Sequence, residues 1–145
     1  MSPRIHGVLG IVASLVVAAA VGWGFVLVGS PAARRLARFD EQRLEDVQTI
    51  AREIQWMVVD PQDKKKLKEP LPKTLAEAAA RARNERVNPR DPETGEPYVY
   101  RVKNETTFEL CATFALARDW DSPVFWNHPA GTHCFTIDVL DPPPF

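Results

Sequence analysis

A chain of 145 residues with 18 basic and 19 acidic side chains has a formal net charge of −1 and no overall field to gather a polyanion, so no nucleic acid partner is expected. Setting aside one apolar run near the amino terminus leaves about 115 residues, enough for one small domain and too few for two. Thirteen prolines favour short elements and firm turns over a helical bundle, and two cysteines allow a single intramolecular pairing.

After a six-residue flank (1–6), Gly7 to Gly29 contains no ionisable side chain. As a helix it would be about 34 Å long, against a hydrocarbon core of roughly 30 Å, and it is predicted to be a transmembrane anchor. A cleaved signal peptide is the second reading, with Ser30-Pro31-Ala32-Ala33 offering small residues to a peptidase, but its apolar region normally runs only about 7 to 15 residues. Gly10, Ser14, Ala18 and Gly22 recur every four residues and form a small-residue stripe against which another membrane helix would pack closely.

Ser30 and Pro31 have the chemistry of an N-cap and first turn, and a long amphipathic helix is expected over 30–60. Leu44, Val47, Ile50, Ala51, Ile54, Met57 and Val58 make its apolar face, with Arg43, Glu45, Arg52 and Glu53 largely off it. Residues 32 to 43 carry mostly charge and are expected to form a solvated stalk. Asp60-Pro61 ends the helix. The connector over 61–96 contains Lys64-Lys65-Lys66, whose ordinary reading is a solvated loop. It also holds a Thr74-x-x-Glu77 capping box ahead of a short helix at 75–83, and a turn at Asp91-Pro92-Glu93-Thr94-Gly95.

Three alternating runs follow within 97–139, at Pro97–Lys103, Thr107–Leu116 and His133–Val139, before a tail at 140–145. They put Tyr98, Tyr100 and Val102, then Phe108, Leu110, Ala112 and Phe114, then Phe135, Ile137 and Val139 on one face of a three-stranded antiparallel sheet. A three-residue loop at Asn104-Glu105-Thr106 sets Val102 opposite Phe108 and Tyr100 opposite Leu110. A two-residue loop would set Tyr100 against Glu109 and is rejected, because a slip of one residue turns a strand inside out. The fold class is therefore α+β, with the long helix lying on the sheet. Cys111 and Cys134 both face away from the core. Pairing Leu110 with Phe135 and Phe108 with Ile137 sets Cys111 directly opposite Cys134, which predicts a disulfide.

This order of elements resembles the type IV pilins and type II secretion pseudopilins. Leu71-Pro72-Lys73-Thr74-Leu75 is similar to the segment after the long helix of major pseudopilins. Asp91-Pro92-Glu93-Thr94-Gly95-Glu96-Pro97-Tyr98 is similar to their Asp-Pro-x-x-Gly-x-x-Tyr turn, and Phe108-Glu109-Leu110 to the start of the next strand. The resemblance implies a pilin-like domain (30–145) outside the cytoplasm, a bacterial inner-membrane location, and protein partners or self-association in an envelope assembly. The apolar segment begins Gly7-Val8-Leu9-Gly10-Ile11-Val12, without the Glu of the prepilin cleavage site. No glycine-rich acidic loop surrounds Asp119 and Asp121, so calcium is not carried over.

Special side chains concentrate between the last two strands: Trp120, Trp126, His128 and His133. They either fold this loop back on itself or form a contact surface, ordinary packing being the commoner outcome. Cys111, His128, His133 and Cys134 are zinc-ligand types, but C-x16-H-x4-H-C matches no common finger, adjacent His133 and Cys134 point to opposite faces, and an oxidising compartment favours the disulfide. No metal or cofactor is expected. Ser122 is the one serine near histidines and comes with no supporting motif, so no catalytic residue is assigned and no enzyme or small-molecule substrate is expected. The expectation is a non-enzymatic tethered contact domain. The alternative is a membrane-tethered module that binds a small ligand or metal through the 120–133 loop. Arg34, Arg35, Arg38 and Arg43 after the anchor, against Arg4 before it, favour a cytoplasmic domain by the positive-inside rule. The pilin resemblance and the disulfide favour the opposite side.

Overall fold

The computed structural model describes residues 3–28, 30–83, 87–121 and 124–145, and it gives no side-chain placement for residues 3–6, 9 and 25–28. The elements are α1 (Pro3–Val28), α2 (Pro31–Val58), α3 (Leu75–Arg81), β1 (Val99–Val102), β2 (Thr107–Phe114) and β3 (Gly131–Asp138), with a short 3-10 turn at Val124–Trp126. The chain divides into two compact units, one running through Arg35 and the other Leu36–Phe145.

α1 leaves Ile11, Leu15, Val17 and Trp23 exposed, and nothing lies within 4 Å of a Cβ placed on Gly10 or Gly22. The one polar group in its small-residue stripe, the Ser14 hydroxyl, donates to the Gly10 carbonyl at 2.9 Å. Among the described residues no helix is long and apolar enough to cross a membrane. The unbroken stretch of placed side chains, Gly10–Gly24, is about 22 Å of helix, short of the roughly 30 Å of a hydrocarbon core. The span expected over Gly7–Gly29 is thus not found among these residues, and Gly29 itself lies outside them.

α2 starts as its sequence demands, the Ser30 hydroxyl accepting the Ala33 N–H at 3.1 Å. It ends one turn after Ile54, where the Val59 N–H reaches Gln55 and the chain reverses. Lys68 then satisfies the orphan carbonyls of the last turn, its N–H donating to Val58 at 2.8 Å and its ammonium to Trp56 at 3.2 Å. α3 carries the capping box: the Glu77 N–H donates to the Thr74 hydroxyl at 3.1 Å, and the Glu77 carboxylate accepts the Lys73 N–H at 2.9 Å.

The sheet order is β1-β2-β3, antiparallel throughout. Its register is the one that face consistency requires, with Val102 opposite Phe108, Tyr100 opposite Leu110, Leu110 opposite Phe135 and Phe108 opposite Ile137. Cys111 faces Cys134 and the two are joined at an S–S distance of 2.07 Å. Leu44, Val47, Ile50, Ile54 and Val58 of α2 share one core with Phe108, Leu110, Phe114, Phe135, Ile137 and Val139. Each such burial contributes about 1.5–3 kcal/mol.

Two expectations need correction. The stalk does not extend to residue 43, because Asp40 is only 7% and Arg43 only 3% exposed. Nor does Val102 close the apolar face of β1. It is exposed in an open groove of about 650 Å³ shared with Leu67, Pro70 and Leu71, beyond the core that covers Tyr98.

Candidate functional site

Asp40 and Arg43 lie one helical turn ahead of Leu44 and Val47, so they continue the buried stripe of α2 with charge in place of hydrocarbon. Four carboxylate contacts surround the Arg43 guanidinium. Nε and Nη2 donate to the two oxygens of Asp91 at 2.6 and 3.1 Å, Nη1 to Asp40 at 2.8 Å, and Nη2 also to Glu93 at 2.6 Å. The two-point contact to Asp91 uses the planar fork of arginine, which lysine lacks. Asp91 is itself preset by its turn: its carboxylate accepts the N–H groups of Glu93 and Thr94 at 2.8 and 2.9 Å, and Gly95, at φ 74°, closes the loop. Burial pushes the Asp91 carboxyl up, but Arg43 and those two N–H groups outweigh it and bring it down to about 2. The same carboxylates hold Arg43 above its ordinary pKa, against its burial.

Asp40 reaches the other way. Its carboxylate accepts the N–H groups of Ala115 and Leu116 at 2.9 and 2.8 Å, stopping β2. Further along α2, Asp46 accepts the Tyr98 hydroxyl at 2.9 Å and the Asn88 amide at 3.2 Å. Burial raises the Asp46 carboxyl despite these two donors, and burial with the Asp46 charge raises the Tyr98 hydroxyl.

The segment between β2 and β3 is pinned beside this network. Arg118 and His128 exchange backbone hydrogen bonds at 2.8 and 3.0 Å. The Asn127 side chain pairs with the Trp120 backbone at 3.1 and 2.7 Å, imitating another rung. Trp126 is fully buried, its indole N–H donating to the Pro144 carbonyl at 2.6 Å. His128 is buried and stacked on Phe114 with centroids 3.5 Å apart; Nδ1 donates to the Pro129 carbonyl, and burial lowers its pKa. His133 is half-buried, edge-on to Phe135. Trp120 alone of the four turns outward, 56% exposed and capped by the Arg118 guanidinium at 3.8 Å, which Glu41 holds at 3.1 Å.

Trp126 and His128 therefore do not line a common deep pocket. His128 lines a cleft of about 130 Å³ together with Arg118, Trp120 and Glu41, and Trp126 does not. Cys111 and Cys134 are spent on their disulfide, and no group of three or more potential metal ligands occurs among the described residues. Ser122 lies outside them. What this region offers is a cross-linked rim: the buried ionic joint of Arg43 with Asp40 and Asp91, and the Trp120–Arg118 stack. The joint was missed by sequence reasoning, which placed Arg43 off the apolar face. Its spacing of four from Val47, and that of Asp40 from Leu44, is the signal that points to it. No family model, no curated protein and no solved structure matches the chain.

Proposed function

We propose that the chain is a non-enzymatic, single-pass envelope protein. In this reading Gly7–Gly29 anchors it in a bacterial inner membrane, and residues 30–145 form a pseudopilin-like extracytoplasmic domain that acts through protein contacts in a secretion or pilus-type assembly. One observation carries the reading. The Asp-Pro-x-x-Gly-x-x-Tyr motif, one of the segments that carry the family resemblance, fastens α2 to the turn that leads into β1: Asp91 takes Arg43, and Tyr98 takes Asp46. The uncharged run in the sequence supports the anchor, and the disulfide supports an oxidising compartment.

The test is made in the native host with the full chain. Photo-cross-linking residues placed at Trp56, Arg101 or Trp120 are expected to give covalent adducts with protein in the membrane fraction. A phosphatase fused at Phe145 is expected to be active. A chain recovered from the soluble fraction, or no protein adduct from any of the three positions, overturns the proposal. An inactive phosphatase with a bright cytoplasmic fluorescent fusion places the domain on the other side.

A further inference from the structure

Trp56 stands on α2 two residues from Ile54 and two from Val58, about 200° around the helix from each and so away from the core they fill. It is 68% exposed, and no ring among the described residues stacks on it. Two clefts are lined by this indole. The larger, about 470 Å³, is bounded by Trp56, Val59, Pro61, Lys64, Lys68 and Arg83, with Asp60 at its edge. The smaller, about 160 Å³, shares Trp56, Lys68 and Arg83 and adds Met57. The larger lies within the size range of ligand clefts.

The lining of the larger cleft carries three cations, Lys64, Lys68 and Arg83, against one carboxylate, Asp60. The carboxylates nearby are engaged: Asp60 accepts the Gln62 N–H, Asp63 pairs with Lys66, Glu69 and Glu77 pair with Arg81, and Glu53 accepts the Arg83 N–H. Lys64, Lys68 and Arg83 form no ion pair among the described residues, the Lys68 ammonium being hydrogen-bonded only to the Trp56 carbonyl at 3.2 Å. Lys64 belongs to the lysine run, which the chain carries on a tight reversal, the Asp60 N–H bonding to Lys66 and the Lys66 N–H to Asp63. The reversal sets Lys64 of that run in the wall of the larger cleft with Trp56.

We propose that the end of α2 and the reversal after it form a docking cleft for an extended acidic segment of a partner protein, with Trp56 as its anchor. The site rests on the contact reading above and names the chemistry of the partner. Tryptophan and arginine at the centre of a cleft are the residue types that dominate binding energy in protein interfaces. The flat indole suits a proline or aliphatic side chain, and the three separate cations Lys64, Lys68 and Arg83 around it suit separate carboxylates rather than a continuous polyphosphate. A nucleic acid backbone would press its phosphates on Glu53, Asp60 and Glu69, and the chain's net charge of −1 gives it no compensating attraction.

The full chain in nanodiscs is titrated with a labelled peptide of alternating glutamate and proline, its glutamine counterpart, a short single-stranded DNA and phosphatidylglycerol vesicles. The glutamate peptide is expected to bind at least about tenfold more tightly than the other three probes, and more weakly as salt rises. Trp56→Ala, and Lys64→Glu with Lys68→Glu, are expected to remove that preference, while Trp120→Ala leaves it intact. All are surface changes, and an unaltered thermal melt confirms that each variant is folded. Equal binding of the glutamate and glutamine peptides, no binding of either, preference for DNA or vesicles, or loss of binding in Trp120→Ala overturns the site. In the host, protein adducts from positions 101 or 120 with none from 56 would sink this cleft and leave the contact reading standing.

Discussion

At its Ile54 end α2 is held by hydrocarbon, with Ile50, Ile54 and Val58 sunk among Phe108, Leu110 and Ile137. At its Arg43 end the same helix face is held by charge. The apolar end is non-directional and tolerates any well-shaped side chain. The ionic end is directional and conditional, because a guanidinium removed from water is compensated only while its carboxylates stay in place. The difference teaches where the fold is forgiving and where it is specified. The packing of Ile54 would survive exchange for Leu, whereas Arg43 has no conservative replacement.

The largest effect is expected at the apolar end. Ile54→Asp puts an unpaired carboxylate at a position with no exposure and should cost roughly 4–5 kcal/mol, or unfold the domain outright. Arg43→Met follows at about 3–4 kcal/mol, because it leaves Asp40 and Asp91 buried without their cation. Urea unfolding of both variants ranks them. If Arg43→Met unfolds at the wild-type midpoint, the ionic end is ornamental and the comparison collapses. The third effect is covalent: Cys111→Ala with Cys134→Ala opens a link across 23 positions of sequence and should cost about 3 kcal/mol in the chain-entropy model. Reducing the wild-type chain should lower its stability by the same amount, and a wild-type midpoint unmoved by reductant would remove the disulfide from the account of stability.

These features were not equally legible in the sequence. The register of β1, β2 and β3 was legible because a period of two makes a slip visible residue by residue. Once Leu110 is set against Phe135, Cys111 has only Cys134 to meet. The capping box at Thr74 and Glu77 and the start of α2 at Ser30 were legible because the partners lie within one turn. The Arg43 joint was legible only in part: its spacing of four from Val47 marks the position as continuing the buried stripe, but nothing local names Asp91, 48 positions away, as its partner. A charged residue on a helix is ordinarily solvated, and that expectation masks the spacing. The inward turn of Trp126 and His128 depended on Pro144 and Phe114, again distant in sequence. Contacts within a turn or a hairpin leave a periodic trace, and single long-range polar contacts leave none.

Acid provides a graded way to release the ionic end. The Asp91 carboxyl lies at about 2 in the folded chain against an ordinary 3.8. A lowered carboxyl stabilises the fold above its unfolded value and loses that contribution as pH falls through its folded value, here between about 4 and 2, for about 2 kcal/mol. Asp46 works in the opposite sense. Burial raises its pKa, so its protonation relieves part of the loss. His128 acts in a different window: burial lowers its pKa, so stability falls as pH drops below about 6.5, its ordinary value. Unfolding followed from pH 7 to pH 2 should therefore show a step in the carboxylate range that shrinks in Arg43→Met. A step of unchanged size in that variant would show that Asp91 does not depend on Arg43.

The smallest expected effect marks where the buried stripe of α2 begins. Arg38 is exposed and lies only two residues before Asp40, which is buried and bonded to Arg43, Ala115 and Leu116. Two positions turn the helix by about 200°, enough to carry a side chain from the buried stripe to the solvent side. Arg38→Asp should therefore change stability by about 0.5 kcal/mol or less, the usual size for a surface charge change. Asp40→Ala should cost more, about 1–2 kcal/mol, because it withdraws an acceptor from Arg43 and from two backbone N–H groups at the end of β2. Equal midpoints in urea for these two variants would mean that solvent reaches Asp40 freely, and the point at which α2 is first gripped would have to move past it to Arg43.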